Sequence, residues 1–557
     1  MADQPISAQT MARAATHDPQ FAVPARPRVR RGLVIRRYDD RLVVEGTPTR
    51  HVLRGRAATQ LVPRLLPLLD GVRDHAAVAA ELGVSTTTVF TVLSLLWTCG
   101  VVEEAAPDTD VSWVPGPLAD YLSRIGDATE ANAAWEGAAD RLATARLRLT
   151  GDPRLVAALR TALSGTVPRL DAEDPSLVVV CVTPSHPLDR VLAAACWNQG
   201  TPLLHLGLSG DVVEIGPYVD RRLGPCLDCL LDPAAAPGGS TVDDLGLAAA
   251  LAAADLVALL GRATRVGLPG RWRRIGLTRL AQSGRSGVSR PGCPACSTVP
   301  GEPRPAPVSA RYEAAVALPP KEYADVKAHQ VHYQPANVAL QRGHKTWPVA
   351  PRQKIPPADL GLLPTDAGLP PAGVDGPRRV APLDGERLAL LLAVAAGWQH
   401  ETPDRVWRWT ASGGNIGSVV AHVLVRDLDG VPPGVYGYVP AGHELALLRP
   451  GRPAACSPDC GAPACLLFTG DLPRVASKYG AFGLRVVLLD AGCAQAAVLT
   501  VAGALGVPAR PAVDLDDERL GDLLGIDLDA EPVTAVIHLG EPIRTGSHAT
   551  GHGEESR

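Results

Sequence analysis

Between Leu484 and Leu505 the sequence LRVVLLDAGCAQAAVLTVAGAL is apolar on nearly every side, the pattern of a helix buried all round rather than along one face. Gly506 closes it as a left-handed cap, and Pro508 bars its continuation. Just before it stands Ser477-Lys478-Tyr479-Gly480. The chain has five lysines among 54 basic residues, none before Lys321. A lysine kept in so arginine-rich a chain suits a task arginine cannot perform, losing its proton when desolvated. Tyr479 offers a second titratable group beside it, and sequence allows either residue to act as a base. A solvated Lys-Tyr at a helix start is the alternative.

At 557 residues the chain has room for about three domains. A net charge of −4 gives no general pull toward nucleic acid or anionic membrane. The first residues, through Pro5, Asp18, Pro24 and Pro27, lack a basic-then-apolar signal pattern. The Ala/Leu run Leu245 to Leu260 contains Asp255 and is too short to span a bilayer. The expectation is a cytoplasmic protein with no membrane partner, in which 11 cysteines serve as metal ligands or buried thiols.

After a disordered arm (1–26), three short strands are expected at 33–38, 41–45 and 50–54, and three helices at 57–69, 76–82 and 86–98. With the Gly83-Val-Ser85 turn this is a winged helix-turn-helix. The third helix, STTTVFTVLSLLWT, has no Arg, Lys, Asn or Gln to reach phosphates or base edges, which argues against nucleic acid. Its Thr, Leu, Phe90 and Trp97 suit an apolar peptide groove, beside a strand able to accept one more. This layout resembles the leader-peptide recognition element of ribosomal-peptide biosynthesis. The resemblance implies that Arg50, His51, Val52, Leu53 and Arg54 pair with the leader of a precursor peptide while Val89 and Leu93 floor its side chains. Arg26, Arg28, Arg30, Arg31, Arg36 and Arg37 are candidates to attract an acidic leader. A winged helix serving only as scaffold is the alternative.

The middle region alternates strand and helix from Ala145 onward, an α/β pattern with a parallel sheet. Its first turn, Thr150-Gly-Asp-Pro-Arg154, has one glycine and an aspartate where an anion should sit, so no ATP site is expected. Cys226-Leu-Asp-Cys229 and Cys293-Pro-Ala-Cys296 together offer four thiolates to one structural zinc (Zn2+), a redox CxxC being the alternative. A degenerate α/β unit, an Ala-rich helix and paired CxxC motifs resemble the ThiF-like partner proteins of azoline-forming cyclodehydratases. That implies a YcaO-type cyclodehydratase as partner.

The last 200 or so residues resemble the azoline dehydrogenases of the nitroreductase fold (the SagB type), flavin enzymes that turn thiazolines and oxazolines into azoles. The resemblance rests on Lys478-Tyr479 with the following apolar run, on Trp409-Thr-Ala-Ser-Gly-Gly-Asn415, on Asp429-Gly-Val-Pro-Pro-Gly-Val-Tyr436 and on Asp516 to Gly525. Where the family has Gly-His-Leu-Ala-Gln-Asn, this chain reads Gly492-Cys-Ala-Gln-Ala-Ala497. The resemblance implies FMN as cofactor, Lys478 and Tyr479 as catalytic residues, Lys345 on the flavin phosphate, and a homodimer. Ser412, Gly413 and Gly414 are small enough for backbone amides to approach a planar or anionic ligand. Cys456, Cys460 and Cys465 could suggest a second metal, but their uneven spacing and missing fourth partner make an irregular loop the expectation there.

The expected architecture is thus multidomain α/β and α+β. A winged helix-turn-helix (27–105) precedes a degenerate zinc-bearing ThiF-like α/β domain (106–310). A linker (311–330), a nitroreductase-like FMN-binding α+β domain (331–545) and a disordered tail (546–557) follow. The expected function is leader-guided azoline oxidation. The alternative is a non-catalytic protein presenting the precursor peptide to a cyclodehydratase.

Overall fold

The computed structural model describes residues 6–47, 49–231, 244–263, 267–268, 270–325, 335–364, 380–403, 405–457 and 460–543. The tail 546–557 and residues 326–330 of the linker lie outside them. The chain divides into two compact units, Pro5–Gln330 and Val331–Arg557.

The first unit opens with a helix. Ser7 accepts a hydrogen bond from the Thr10 amide at 3.1 Å and starts α1, Ala8–His17. Met11 and Ala14, one turn apart, are buried as α1 packs on the helix Thr86–Thr98, and Phe21 stacks 5.5 Å from Trp97. Over residues 6–26 a disordered arm is therefore not what forms, because a cap and two apolar residues on one face suffice to seat this segment. Strands β1 (Val34–Arg37), β2 (Arg41–Glu45) and β3 (His51–Arg54) form an antiparallel sheet in that order, pairing Val34 with Glu45 and Val43 with Val52. Helices α2 (His75–Leu82) and α3 (Thr86–Thr98) meet at 112° across Gly83, whose φ of 68° needs no Cβ.

Packing overturns two readings of this region. Val89 and Leu93 are 1% and 0% exposed, inside the core rather than lining a groove, because they share the inward stripe of α3 with Val92 and Leu96. Part of the basic run is also spent on pairing within the unit, while Arg26, Arg36 and Arg37 stay exposed. Arg28 pairs with Glu103 (3.0 Å) and Glu136 (2.8 Å), Arg30 with Asp127 (2.6 Å) and Arg31 with Asp120 (3.0 Å). Arg30 is itself buried. A guanidinium cannot shed its charge, so burying it requires such partners.

Next come β4 (Arg146–Gly151), α4 (Pro153–Leu163), β5 (Arg169–Leu170), β6 (Leu177–Val182), α5 (Arg190–Gln199), β7 (Leu203–Ser209), β8 (Val212–Val219), α6 (Leu245–Leu260), β9 (Arg271–Gly276) and β10 (Gln282–Ser286). The seven strands run in the order β10-β9-β8-β7-β6-β4-β5, parallel from β5 to β7 and antiparallel from β7 to β10. Because alternate residues face opposite ways, Leu177 and Val179 join the layer with α4 and α6, while Val178 and Val180 join Cys196 of α5. Asp152 caps α4 with its own carboxylate, accepting from the Arg154 and Leu155 amides and from Thr183 Oγ1 at 2.8 Å.

The second unit is an antiparallel sheet with helices segregated by face. Its strands are β11 (Arg352–Lys354), β12 (Val419–Val425), β13 (Gly434–Val439), β14 (Glu444–Pro450), β15 (Ala464–Gly470), β16 (Ala509–Pro511) and β17 (Val533–Leu539), ordered β11-β14-β13-β12-β15-β17-β16. Helices α7 (Gly385–Ala396) and α9 (Gly483–Leu505) cover one face through Leu466, Phe468, Ala535 and Ile537. Helix α8 (Leu472–Tyr479) runs into α9, and α10 (Asp517–Leu524) lies on the other face with Leu467 and Val536.

Helix α9 is not buried all round. Its core stripe is Val486, Val487, Asp490, Ala491, Ala494, Val498, Ala502 and Leu505, whereas Leu488 and Leu489 are 50% and 60% exposed. The sheet can touch only one side of a helix, and α7 does not reach round to the other. By length and hydropathy Leu472–Leu505 is also apolar enough to cross a bilayer, although its inner stripe is packed on the sheet.

If α1 is a structural part of the first unit, Met11→Ala lowers that unit's stability by about 2–3 kcal/mol in urea unfolding, the cost of a cavity under a buried methionine. A disordered arm would show no change.

Candidate functional site

The short strand Val406–Arg408 feeds the turn at Ser412-Gly413-Gly414, and this turn is held by one residue of α9. Asp490 accepts hydrogen bonds from Ser412 Oγ (2.7 Å), the Gly413 amide (2.8 Å) and Ser418 Oγ (2.6 Å). Ser412 Oγ in turn accepts from the Gly417 amide at 2.7 Å. Both glycines are sterically required. A Cβ on Gly413 would collide with Val486. Gly414 has φ +59°, and a Cβ there would press on Lys478 Nζ and lie 2.7 Å from the Tyr479 hydroxyl.

The structure therefore brings Lys478 and Tyr479, at the end of α8, against the Ser412–Gly414 turn. Lys478 Nζ lies 5.2 Å from the centroid of the Tyr479 ring, and both side chains are half-buried. Burial pushes the Lys478 ammonium below its ordinary value. Burial, reinforced by the Asp490 carboxylate, pushes the Tyr479 phenol above its own. A tyrosine with a depressed pKa is thus not what this environment makes, because it adds a carboxylate and removes water. The amine is the group moved toward a basic form at neutral pH.

Lys345 stands elsewhere in the network. It forms an ion pair with Glu531 and lies 5.4 Å over the Trp347 ring. Glu531 also meets His422 Nε2 (3.3 Å) and accepts from Thr469 Oγ1 (2.7 Å). Burial opposes ionisation of Glu531, but the bonds from His422, Lys345 and Thr469 outweigh it and hold the carboxyl at about 2. Lys345 thus already has an anion.

Two basic residues that the sequence reading passed over border the site. Arg408 donates to the Ile416 carbonyl (3.1 Å) and the Gln341 carbonyl. Its pKa is pushed down to about 10 by burial and by neighbouring Arg474, against the pull of Asp490. Among the described residues no carboxylate pairs with it. Arg474 bonds Asp471 (2.8 Å) and the Gly417 carbonyl (2.8 Å). Arg408, Gly417 and Val419 line two small cavities of about 20 Å³, one reaching Ser412 and Asp490, the other Lys345 and Arg474. The one signal for Asp490 was a lone carboxylate inside an apolar run.

In the first unit, Cys226, Cys229, Cys293 and Cys296 place their sulfurs within 4.8 Å of one another. Cys226 and Cys293 are 3.6 Å apart, as are Cys229 and Cys296. Zinc with sulfurs at about 2.3 Å sets tetrahedral neighbours roughly 3.8 Å apart, so this set can hold such an ion. Strand β3 has a partner only on its β2 side among the described residues; Val52 is 45% exposed and Leu53 is buried, while Arg50 and Arg54 point to solvent.

No protein-family model matches the chain. In sequence it is 28% identical over 158 residues to "Putative nitroreductase MJ1384" of Methanocaldococcus jannaschii, a match covering 26% of this chain and 76% of that protein. Among solved structures, a heterocyclase in complex with substrate and cofactor is similar over 49% of this chain at 19% identity and a TM-score of 0.37; the chain spans only 39% of the heterocyclase. MccB of E. coli is similar over 50% of this chain and 99% of its own length, at 13% identity and a TM-score of 0.39. Each likeness covers part of the chain.

Asp490→Ala strands two hydroxyls and an amide in a buried place. It is expected to cost the second unit about 2–4 kcal/mol, read as a lowered urea midpoint, with Asp490→Asn recovering part of it.

Proposed function

We propose that this chain is a leader-guided, FMN-dependent azoline dehydrogenase, oxidising thiazolines or oxazolines of a ribosomally made precursor peptide to azoles. The observation that carries the reading is the convergence at Gly414 of the glycine turn with Lys478 and Tyr479. There a half-buried amine is shifted toward its neutral form beside a phenol that keeps its proton. Azole formation removes two hydrogens from adjacent ring carbons, one as hydride and one as proton. A bound flavin supplies the hydride acceptor. In this assignment Lys478 Nζ takes the ring proton, and the Tyr479 hydroxyl donates a hydrogen bond that orients the ring.

The residues present suit such a cofactor in chemistry. Arg408 is a half-buried cation without a carboxylate partner among the described residues and would meet its phosphate, while the side-chain-free backbone at Gly413 and Gly414 would let a ring approach. Cavities of about 20 Å³ do not enclose a tricyclic ring within one chain. The exposed Leu488–Leu489 face of α9 is accordingly assigned to a second copy of the chain, giving a homodimer.

The first unit is read as the leader-binding half, with a winged helix-turn-helix, a ThiF-like α/β body and a structural zinc on Cys226, Cys229, Cys293 and Cys296. The leader adds to the free edge of β3, contacting Arg50, Val52 and Arg54 rather than Val89 or Leu93. A YcaO-type cyclodehydratase is the proposed partner. The competing reading, a non-catalytic presenter of the peptide, draws on the Gly413 amide being already satisfied by Asp490.

A visible spectrum of the purified protein separates the two readings: a flavin band is expected, and its absence favours the presenter. Lys478→Ala and Tyr479→Phe should each keep flavin and leader affinity while slowing azole formation roughly a hundredfold or more. In the wild type the rate should rise with pH as the amine loses its proton, with a midpoint below the ordinary lysine value of 10.5, and Lys478→Ala should lose that limb. Wild-type rates in both variants would sink the assignment.

Leader binding gives a separate check, read by fluorescence anisotropy with a labelled precursor. Val52→Pro should weaken it at least tenfold, since proline removes a strand amide and disturbs the edge. Unchanged affinity would rule out strand addition at β3.

A further inference from the structure

The three cysteines expected to sit in an irregular loop do not stand apart. Cys456, Cys460, Cys465 and His538 are all buried, and their ligand atoms lie within 4.8 Å of one another. The fourth partner comes from 73 residues beyond Cys465, through strand pairing: Cys465 of β15 and His538 of β17 are direct cross-strand neighbours. Strand alternation turns both toward the face carrying Leu467 and Val536, opposite α7 and α9. Cys456 and Cys460 arrive from the connection between β14 and β15, where the Cys460 amide bonds the Ser457 carbonyl at 3.1 Å.

The sulfurs form a triangle with sides of 3.0, 3.2 and 3.2 Å. Those separations far exceed the ~2.05 Å of a disulfide. They also fall short of the roughly 3.5–4.0 Å at which even carbon atoms rest in contact. A zinc ion would spread these sulfurs to the roughly 3.8 Å of a tetrahedral site; what marks a ligand set is the convergence of three sulfurs and an imidazole on one buried point.

A second, independent observation points the same way. Arg426 is buried, and its hydrogen bonds go to the Cys460 carbonyl (2.9 Å), the Cys460 sulfur and the Cys465 sulfur (3.7 Å). Among the described residues no carboxylate pairs with it. Three thiolates, a neutral imidazole and a divalent ion sum to one negative charge, which this guanidinium balances. Neutral thiols would leave it a buried cation without an anion.

We propose that Cys456, Cys460, Cys465 and His538 form a second metal centre, a closed Cys3His site for zinc in the dehydrogenase-like unit. Four protein ligands leave no open position, so the ion is structural. It ties the connection between β14 and β15 to the back of the sheet whose other face carries α9. His538 Nε2 lies 3.2 Å from Ser457 Oγ and Nδ1 lies 3.0 Å from Arg510; on loading, one of these contacts passes to the ion. Arg426 acts from behind the sulfurs as a positioning residue.

Metal analysis of the full-length protein tests this, with zinc alone as the probe. The wild type should carry two zinc ions per chain. Cys460→Ser and His538→Ala should each remove one, and Cys226→Ser should remove the other. Should only one be found, its survival in Cys226→Ser and loss in Cys460→Ser still support the centre; loss in Cys226→Ser alone overturns it. If Cys460→Ser does not fold, cobalt exchange into Cys226→Ser reads the same site. An intense sulfur-to-cobalt band is expected there, and its absence overturns the proposal. So does a disulfide among Cys456, Cys460 and Cys465 by mass spectrometry of the native protein, or iron in place of zinc.

Discussion

The second unit depends on where one buried carboxylate finds its donors. Asp490 sits on the inner stripe of an otherwise apolar helix and is satisfied by Ser412, Gly413 and Ser418 from one turn and the strand start after it. Leaving it unbonded would cost more than the helix gains from its neighbours there. The rotation of α9 is consequently fixed. Ala494 packs on the sheet, Val486 and Val487 pack with Ile416 and Val475, Leu488 and Leu489 face out, and Val486 occupies the space that a side chain at position 413 would need. The positive φ at Gly414 then leaves Lys478 and Tyr479 close against the backbone. The geometry of the candidate site is a consequence of one hydrogen-bonded group in an apolar setting.

The chain's strong preference for arginine has a structural counterpart. Arg30 and Arg273 meet buried carboxylates, Arg408 and Arg474 meet main-chain carbonyls, and Arg426 meets sulfur. A permanent charge with a five-donor fork serves to tie loops to cores wherever acceptors converge. Lys345 and Lys478 of the second unit divide differently. Lys345 is neutralised by Glu531, whereas burial is the sole influence found to shift Lys478. Among the described residues Lys478 has no such counter-charge, and its burial lowers the cost of losing a proton.

The two residue sets that could hold a metal differ in legibility. Paired CxxC motifs announce themselves because each pair spans a single knuckle, and only the closure between pairs awaits the fold. The Cys3His set conceals its fourth member in a distant strand. His538 becomes a neighbour of Cys465 through the register of β15 with β17, and no spacing rule connects them.

Local chemistry was enough to mark many elements. The caps at Ser85 and Gly506, the strand–turn–strand at Arg41–Arg54 and the alternation after Ala145 follow from side chains acting on their own backbone or one turn away. Ser412–Gly414 and Lys478–Tyr479 each stood out in the sequence, but their meeting belongs to the tertiary structure. So do the burial of Val89 and Leu93, the seating of α1, the internal pairing of Arg28 to Arg31, the one-sided burial of α9 and the engagement of Lys345 by Glu531. The physical division is plain. Periodicity tells which residues are apolar together, but which face meets a partner, and which charge meets its counter-charge, depends on elements scores of residues away in the chain.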